Sequence, residues 1–98
     1  MDQIELALAA LGSTPTAVAE TLRAAGVAGR RDSPSVQNVL VRYLNRTVDI
    51  GGRLEVGASG EVVYLYRGGS AVSFRVPDPV REFLAAFHRG DYPDLEQP

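Results

Sequence analysis

Among these 98 residues there is no cysteine and no lysine, and histidine and methionine occur once each. The absence of cysteine excludes disulfide frameworks, zinc–thiolate sites and thiol chemistry. A membrane-spanning helix needs about 20 consecutive apolar residues, and no such run occurs. The opening MDQIELALAALG begins with acidic Asp2, and Gln3 and Glu5 interrupt its apolar residues. It therefore reads as neither a signal peptide nor a membrane span. The expectation is a soluble cytoplasmic protein with no membrane partner.

With lysine absent, all ten basic residues are arginine, a bias that fits a GC-rich coding sequence. A chain that is 45% hydrophobic and 22% charged can build a core, and its length suits one domain. The organisation expected is a single α+β domain over residues 1–90 followed by an acidic C-terminal tail, 91–98. Formal charge is uneven: −3 over residues 1–20, +3 over 21–55, +1 over 56–76 and −3 over 77–98, for a net −2. That balance argues against general polyanion binding. It leaves a local basic patch of Arg30, Arg31, Arg42, Arg46 and Arg53 to weigh against an ordinary solvated surface.

No internal repeat or low-complexity linker appears. Asp2 to Leu11 predicts a helix with Ile4, Leu8 and Leu11 on one stripe, ended by Gly12. Thr14-Pro15 supplies an N-cap and a proline where its missing N–H is harmless. The helix that follows places Val18, Leu22 and Ala25 on one face and stops at Gly26. Ser33-Pro34 repeats the start signal, predicting a third helix with Val36, Val39, Leu40, Tyr43 and Leu44 inward and Asn38, Arg42 and Asn45 outward. Near the end, Asp78-Pro79 predicts the start of a fourth helix with a Val80, Phe83, Leu84, Phe87 stripe, closed by Gly90. Beyond it, DYPDLEQP reads as an extended or frayed tail.

Between the third and fourth helices lie three β-forming runs. A two-residue turn at Gly68-Gly69 opposes Arg67 to Ser70, Leu65 to Val72 and Val63 to Phe74. A similar turn at Ser59-Gly60 opposes Val56 to Val63, Leu54 to Leu65 and Glu55 to Tyr64. The result is a three-stranded antiparallel meander. One face is apolar, and the other carries Tyr64, Tyr66, Ser73 and Arg75. The architecture expected is three N-terminal helices, the meander, and a C-terminal helix.

Catalytic and cofactor patterns are missing. His88 falls beside the apolar stripe of its helix and reads as a rim residue rather than a base. The carboxylates are scattered, with Asp91, Asp94 and Glu96 in the tail. No metal-ligand spacing, phosphate-binding glycine loop or nucleophile elbow is present. The glycines punctuate β-turns. A non-enzymatic protein without cofactor or metal is expected.

Two non-catalytic readings compete. In the first, Tyr64, Tyr66, Arg53 and Arg75 form a protein-contact face, since tyrosine and arginine combine apolar area with a polar end. The partner is then another protein or a second copy, with a homodimer as the simplest form. Against this stands the ordinary strand propensity of tyrosine, or the fourth helix packing over that face. In the second reading the chain is a winged helix-turn-helix DNA-binding regulator. Its third helix and the preceding loop offer Arg30, Arg31, Gln37, Asn38, Arg42 and Arg46 to DNA. The long connection GVAGRRDS, a hairpin tip with only Arg67, and the negative net charge weigh against it. The protein-contact reading is preferred.

The Thr14-Pro15 start, Leu22-Arg23, the Gly26-Val27 and Gly29 turn, Tyr43-Leu44, and the closing Phe83, Phe87, Gly90, Tyr92-Pro93 and Leu95 form a recognisable pattern. It resembles one in small uncharacterised proteins of high-GC bacteria and their phages, at both ends of the chain and not in the sheet. Such proteins often carry Cys-Pro just before the Tyr-Leu. Here those positions hold Asn38 and Val39, so a role tied to that cysteine is absent. The resemblance implies a coherent small domain, no particular activity, and a tail in which Tyr92, Pro93 and Leu95 fold back on the last helix.

Overall fold

A computed structural model describes residues 3–31, 33, 37–57 and 60–96. The elements run α1 (Gln3–Ala10), α2 (Pro15–Ala24), α3 (Val39–Thr47), β1 (Arg53–Val56), β2 (Val62–Arg67), β3 (Ser70–Arg75), α4 (Asp78–His88) and a short 3₁₀ turn, Pro93–Leu95. The protein is thus an α+β fold with helices first, then strands, then a helix. Asp2, Pro34, Ser35, Val36 and Ser59 lie outside the described residues.

The sheet is an antiparallel meander in the order β1-β2-β3. Its register pairs Leu54 with Leu65, Val56 with Val63, Leu65 with Val72 and Val63 with Phe74, as the alternation of apolar residues requires. At the second turn Gly68 and Gly69 have φ of 54° and 85°. Two consecutive positive φ values make a turn whose twist matches the flanking strands, and side chains disfavour that conformation.

The apolar face of the sheet meets the helices: α3 packs on β1, α1 on β3, and α2 pairs with α4. The core joins Ile4, Leu8 and Leu11 of the first segment, Val18 and Leu22 of α2, and Leu40 and Leu44 of α3. From the sheet come Leu54, Val63, Leu65 and Phe74, and from α4 come Val80, Phe83, Leu84 and Phe87. Val72 is an exception. It shares the apolar side of the sheet with Leu65 yet is 52% exposed. Pleat direction alone does not bury a residue near the hairpin tip of an edge strand.

Two helix starts differ from the sequence reading. α3 begins at Val39 rather than at Ser33-Pro34, because Asn38 is its N-cap. The Asn38 Oδ1 accepts from the backbone N–H of Leu40 (2.9 Å) and Val41 (3.4 Å), while its Nδ2 donates to Ser33 O (3.1 Å). Local side-chain capture of the first amides outcompetes the upstream start signal. Likewise α4 starts one residue earlier than expected: Pro77 is the N-cap and Asp78 lies in the first turn, where its Oδ1 accepts from Arg81 Nη2 at 3.4 Å.

Residues 91–96 are built into the fold. Gly29 N–H donates to Leu95 O (2.9 Å), and Gly29 and Glu96 form a parallel bridge. Leu95 is 2% exposed, and the Tyr92 ring lies 4.9 Å from that of Phe83. Arg23 on α2 donates to the Asp94 carboxylate. That hydrogen bond holds the Asp94 carboxyl below the ordinary carboxylate range. Of the two forms expected for the tail, frayed or folded back, the chain adopts the second.

Candidate functional site

The outer face of the sheet is set by strand alternation. Arg53 and Glu55 on β1, Tyr64 and Tyr66 on β2, and Ala71, Ser73 and Arg75 on β3 all project to the side opposite the core. Glu55 stands opposite Tyr64, as the register predicts. Each tyrosine has a small cross-strand neighbour on β3: Ser73 beside Tyr64 and Ala71 beside Tyr66. Both rings are therefore only half-buried.

The α4 helix packs against α2 and does not cover these tyrosines. The Tyr64 and Tyr66 ring centroids are 6.3 Å apart and tilted by 35°. The Arg53 guanidinium lies 4.8 Å over the Tyr66 ring, a cation–π distance. It is also 3.7 Å from the Glu55 carboxylate. Two contacts thus orient an otherwise exposed arginine. Arg75 is exposed and has no ion-pair partner among the described residues. Its end of the sheet opens on a cleft of about 450 Å³ lined by Glu61, Val62, Arg75, Val76, Asp78 and Arg81. The arrangement offers two adjoining aromatic rings with arginines at either side.

The residues considered for DNA contact occupy different environments. Asn38 is 1% exposed and engaged as the α3 cap, so it does not face outward. Gln37 is half-buried ahead of the helix, and its carbonyl accepts from Arg30 N–H at 2.7 Å. Arg31 Nε is 2.9 Å from Glu96 Oε1. Arg42 Nη1 donates to Ala28 O (3.0 Å), and Arg46 Nη1 donates to Ala25 O (2.9 Å) and Gly26 O (3.1 Å).

These two arginines, one turn apart on α3, satisfy carbonyls at and beyond the C-terminal end of α2, the negative end of its dipole. They border a cleft of about 500 Å³ with Gly26, Val27, Ala28 and Asn45. Most of α3 is turned inward, with Val39, Leu40, Val41, Tyr43 and Leu44 all buried. Its nine residues leave little free face for a groove. The clamping role of Arg42 and Arg46 has no signal in the sequence. The capping role of Asn38 does have one: an N-cap residue type stands directly before a Val-Leu-Val run.

His88 lies at the rim of α4 with its ring 6.0 Å from that of Phe87, and the part of the ring shielded from water lowers its pKa from the ordinary histidine value. Among the described residues no group of three or more histidine, aspartate or glutamate side chains could hold a metal ion, and no helix is long and apolar enough to cross a membrane.

The Asn38 cap carries a testable consequence. Replacing Asn38 with alanine removes a cap, strands the Leu40 and Val41 N–H groups in a buried site, and deletes the Nδ2 contact to Ser33 O. It is expected to destabilise the fold by about 2–3 kcal/mol in denaturant unfolding. Asn38→Ser, which restores an acceptor for the helix amides but not the Ser33 contact, should recover about half of that loss. Loss below the resolution of the unfolding curve would show that the cap does not set the start of α3.

Compared with models of protein families, with curated proteins and with solved structures, the chain matches none of them.

Proposed function

We propose that the protein is a non-catalytic cytoplasmic interaction domain that presents the outer face of its sheet to another protein. The observation that carries this reading is the pair Tyr64 and Tyr66, left open beside Arg53 while the last helix packs elsewhere. Half-buried tyrosines already held in place lose little conformational freedom on binding, and an arginine fixed over a ring adds a directional polar contact. These are the features of interface anchors.

The test compares the wild-type chain with a Tyr64→Ala/Tyr66→Ala variant as immobilised bait, after thermal melting has established that both are folded. Proteins held by the wild type are expected to bind the variant at least about thirtyfold more weakly, the loss typical of aromatic anchors. An identical set retained with equal affinity by both would end the proposal. The alternative, a winged-helix DNA-binding regulator, draws on Arg42 and Arg46, whose guanidinium groups here hold backbone carbonyls.

A further inference from the structure

The hydrogen-bond phase of the hairpin determines which backbone groups of β3 are free. The two-residue turn makes Arg67 and Ser70 the closing pair, so Leu65–Val72 and Val63–Phe74 are the pairs that exchange both backbone hydrogen bonds. Two bonds further along agree with that phase: Val76 N–H donates to Glu61 O (2.8 Å), and Val62 O turns to the opposite side to accept from Gly57 N–H (2.9 Å). It follows that Ala71, Ser73 and Arg75 direct their N–H and C=O groups away from β2, along the outer edge of the sheet. Five of the six β3 residues are exposed, Phe74 alone being buried.

Edge strands that must stay single are usually protected by lysine, proline, a bulge or an inward charge. β3 has no lysine, proline, bulge or inward charge, and its one charged side chain is Arg75 at its C-terminal end. It carries Val72, one of two large apolar side chains exposed among the described residues. The other, Leu6 (51% exposed), lies on α1, the helix packed against β3.

We propose that β3 is a homodimerisation edge, pairing antiparallel with β3 of a second copy about a two-fold axis at Ser73. This goes beyond the reading of the outer sheet face as a contact surface: it uses the edge of the same sheet and leaves the Tyr64 and Tyr66 face open for another protein. The proposed register is self-complementary. Ser73 faces Ser73 of the second copy, and Ala71 faces Arg75, so all three outward-facing residues of each strand gain ladder partners. On the core side Val72 comes against Phe74 of the second copy, covering the exposed valine. On the outer side Arg75 extends over the small Ala71 of the second copy toward the Tyr66 beyond it. Those two backbones are about 10 Å apart across two strand spacings, within reach of an arginine and a tyrosine side chain. The positive charge of Arg75 thereby meets the electron-rich face of a ring. The six strands would form one continuous sheet, with both tyrosine pairs on the same side.

An interface of one strand and its flanking helix belongs to the class below about 1,200 Å², so the dimer is weak and concentration-dependent. Sedimentation velocity on the intact chain, from low micromolar to near-millimolar concentration, tests it. The wild type is expected to shift from monomer to dimer. Ser73→Pro removes one outward N–H without touching the β2 ladder, and should remain monomeric throughout with an unchanged far-ultraviolet spectrum. If that variant does not fold, Ser73→Arg sets two like charges across the axis and is expected to weaken association at least tenfold. A wild type that stays monomeric overturns the proposal, as does a dimer that persists undiminished in the folded variants. A monomeric wild type that still loses its captured partners on Tyr64→Ala/Tyr66→Ala substitution would separate failure of the self-pairing from failure of the contact face.

Discussion

Leu95→Ala is expected to lower the unfolding free energy by about 2–5 kcal/mol, the range for emptying a buried leucine site. For a domain of this length that is a fall in Tm of at least about 8 °C. The argument does not rest on sequence position, since a residue four places from the end of this chain would ordinarily be exposed. It rests on the side chain being 2% exposed, on the Leu95 carbonyl being bonded to Gly29 N–H, and on the turn before it being held by Tyr92 against Phe83. Removing residues 91–98 altogether should have a larger effect, because the Tyr92 contact and the Gly29 bridge are lost with the leucine. Thermal melting by circular dichroism measures both. A truncated chain melting at the wild-type temperature would mean that the last segment contributes nothing to the core.

The second large effect is expected at Gly29, on the other side of the same junction. A Cβ there would meet Val39 N, lie 2.6 Å from Val39 Cα, and lie 2.8 Å from Gln37 O. All three are backbone atoms, so no side chain can swing aside. Gly29→Ala must push the loop away from the start of α3 or shift that helix, and movement of the loop pulls the Gly29 N–H from Leu95 O. Destabilisation of about 3 kcal/mol is expected, at the upper end for an added methyl group in a packed site. Since both substitutions open one junction, the double variant Gly29→Ala/Leu95→Ala should fall well short of the sum of the single effects in a denaturant cycle. Strict additivity would show that the loop and the tail are energetically independent.

The helices and the sheet were legible because each depends on short-range pattern. Thr14-Pro15 marks the start of α2, and Thr14 Oγ1 does accept from Ala17 N–H at 3.1 Å. The apolar stripes at Val18 and Leu22, and at Val80, Phe83, Leu84 and Phe87, are buried as their spacing requires. The pairing of all three strands follows from two turn lengths and a period of two. What failed was competition between signals and reach in three dimensions. Two start signals precede α3, Ser33-Pro34 and Asn38, and helical periodicity continues through both, so the pattern leaves the choice between them open. Val72 alternates correctly but stays half exposed near the hairpin tip.

Of the candidate site, the sequence places Tyr64, Tyr66, Arg53 and Arg75 on one face, which requires only the register. It could not place Arg42 and Arg46, since a basic residue one turn from another reads equally well as a solvated face, a phosphate contact or a clamp on distant carbonyls. Which of these it becomes depends on where the loop after α2 passes, and that path is set in part by the C-terminal segment.

The docking of that segment also fixes an order of events during synthesis. Arg23 and Asp94 are 71 positions apart, and at about 5–20 residues per second a ribosome needs several seconds to cover that interval. Throughout it the α2 helix and the loop holding Gly29 exist without the residues that complete their packing, and the site later filled by Leu95 stands open to any apolar side chain nearby. The junction between α2, the Gly29 loop and residues 91–96 therefore cannot close until that last turn emerges.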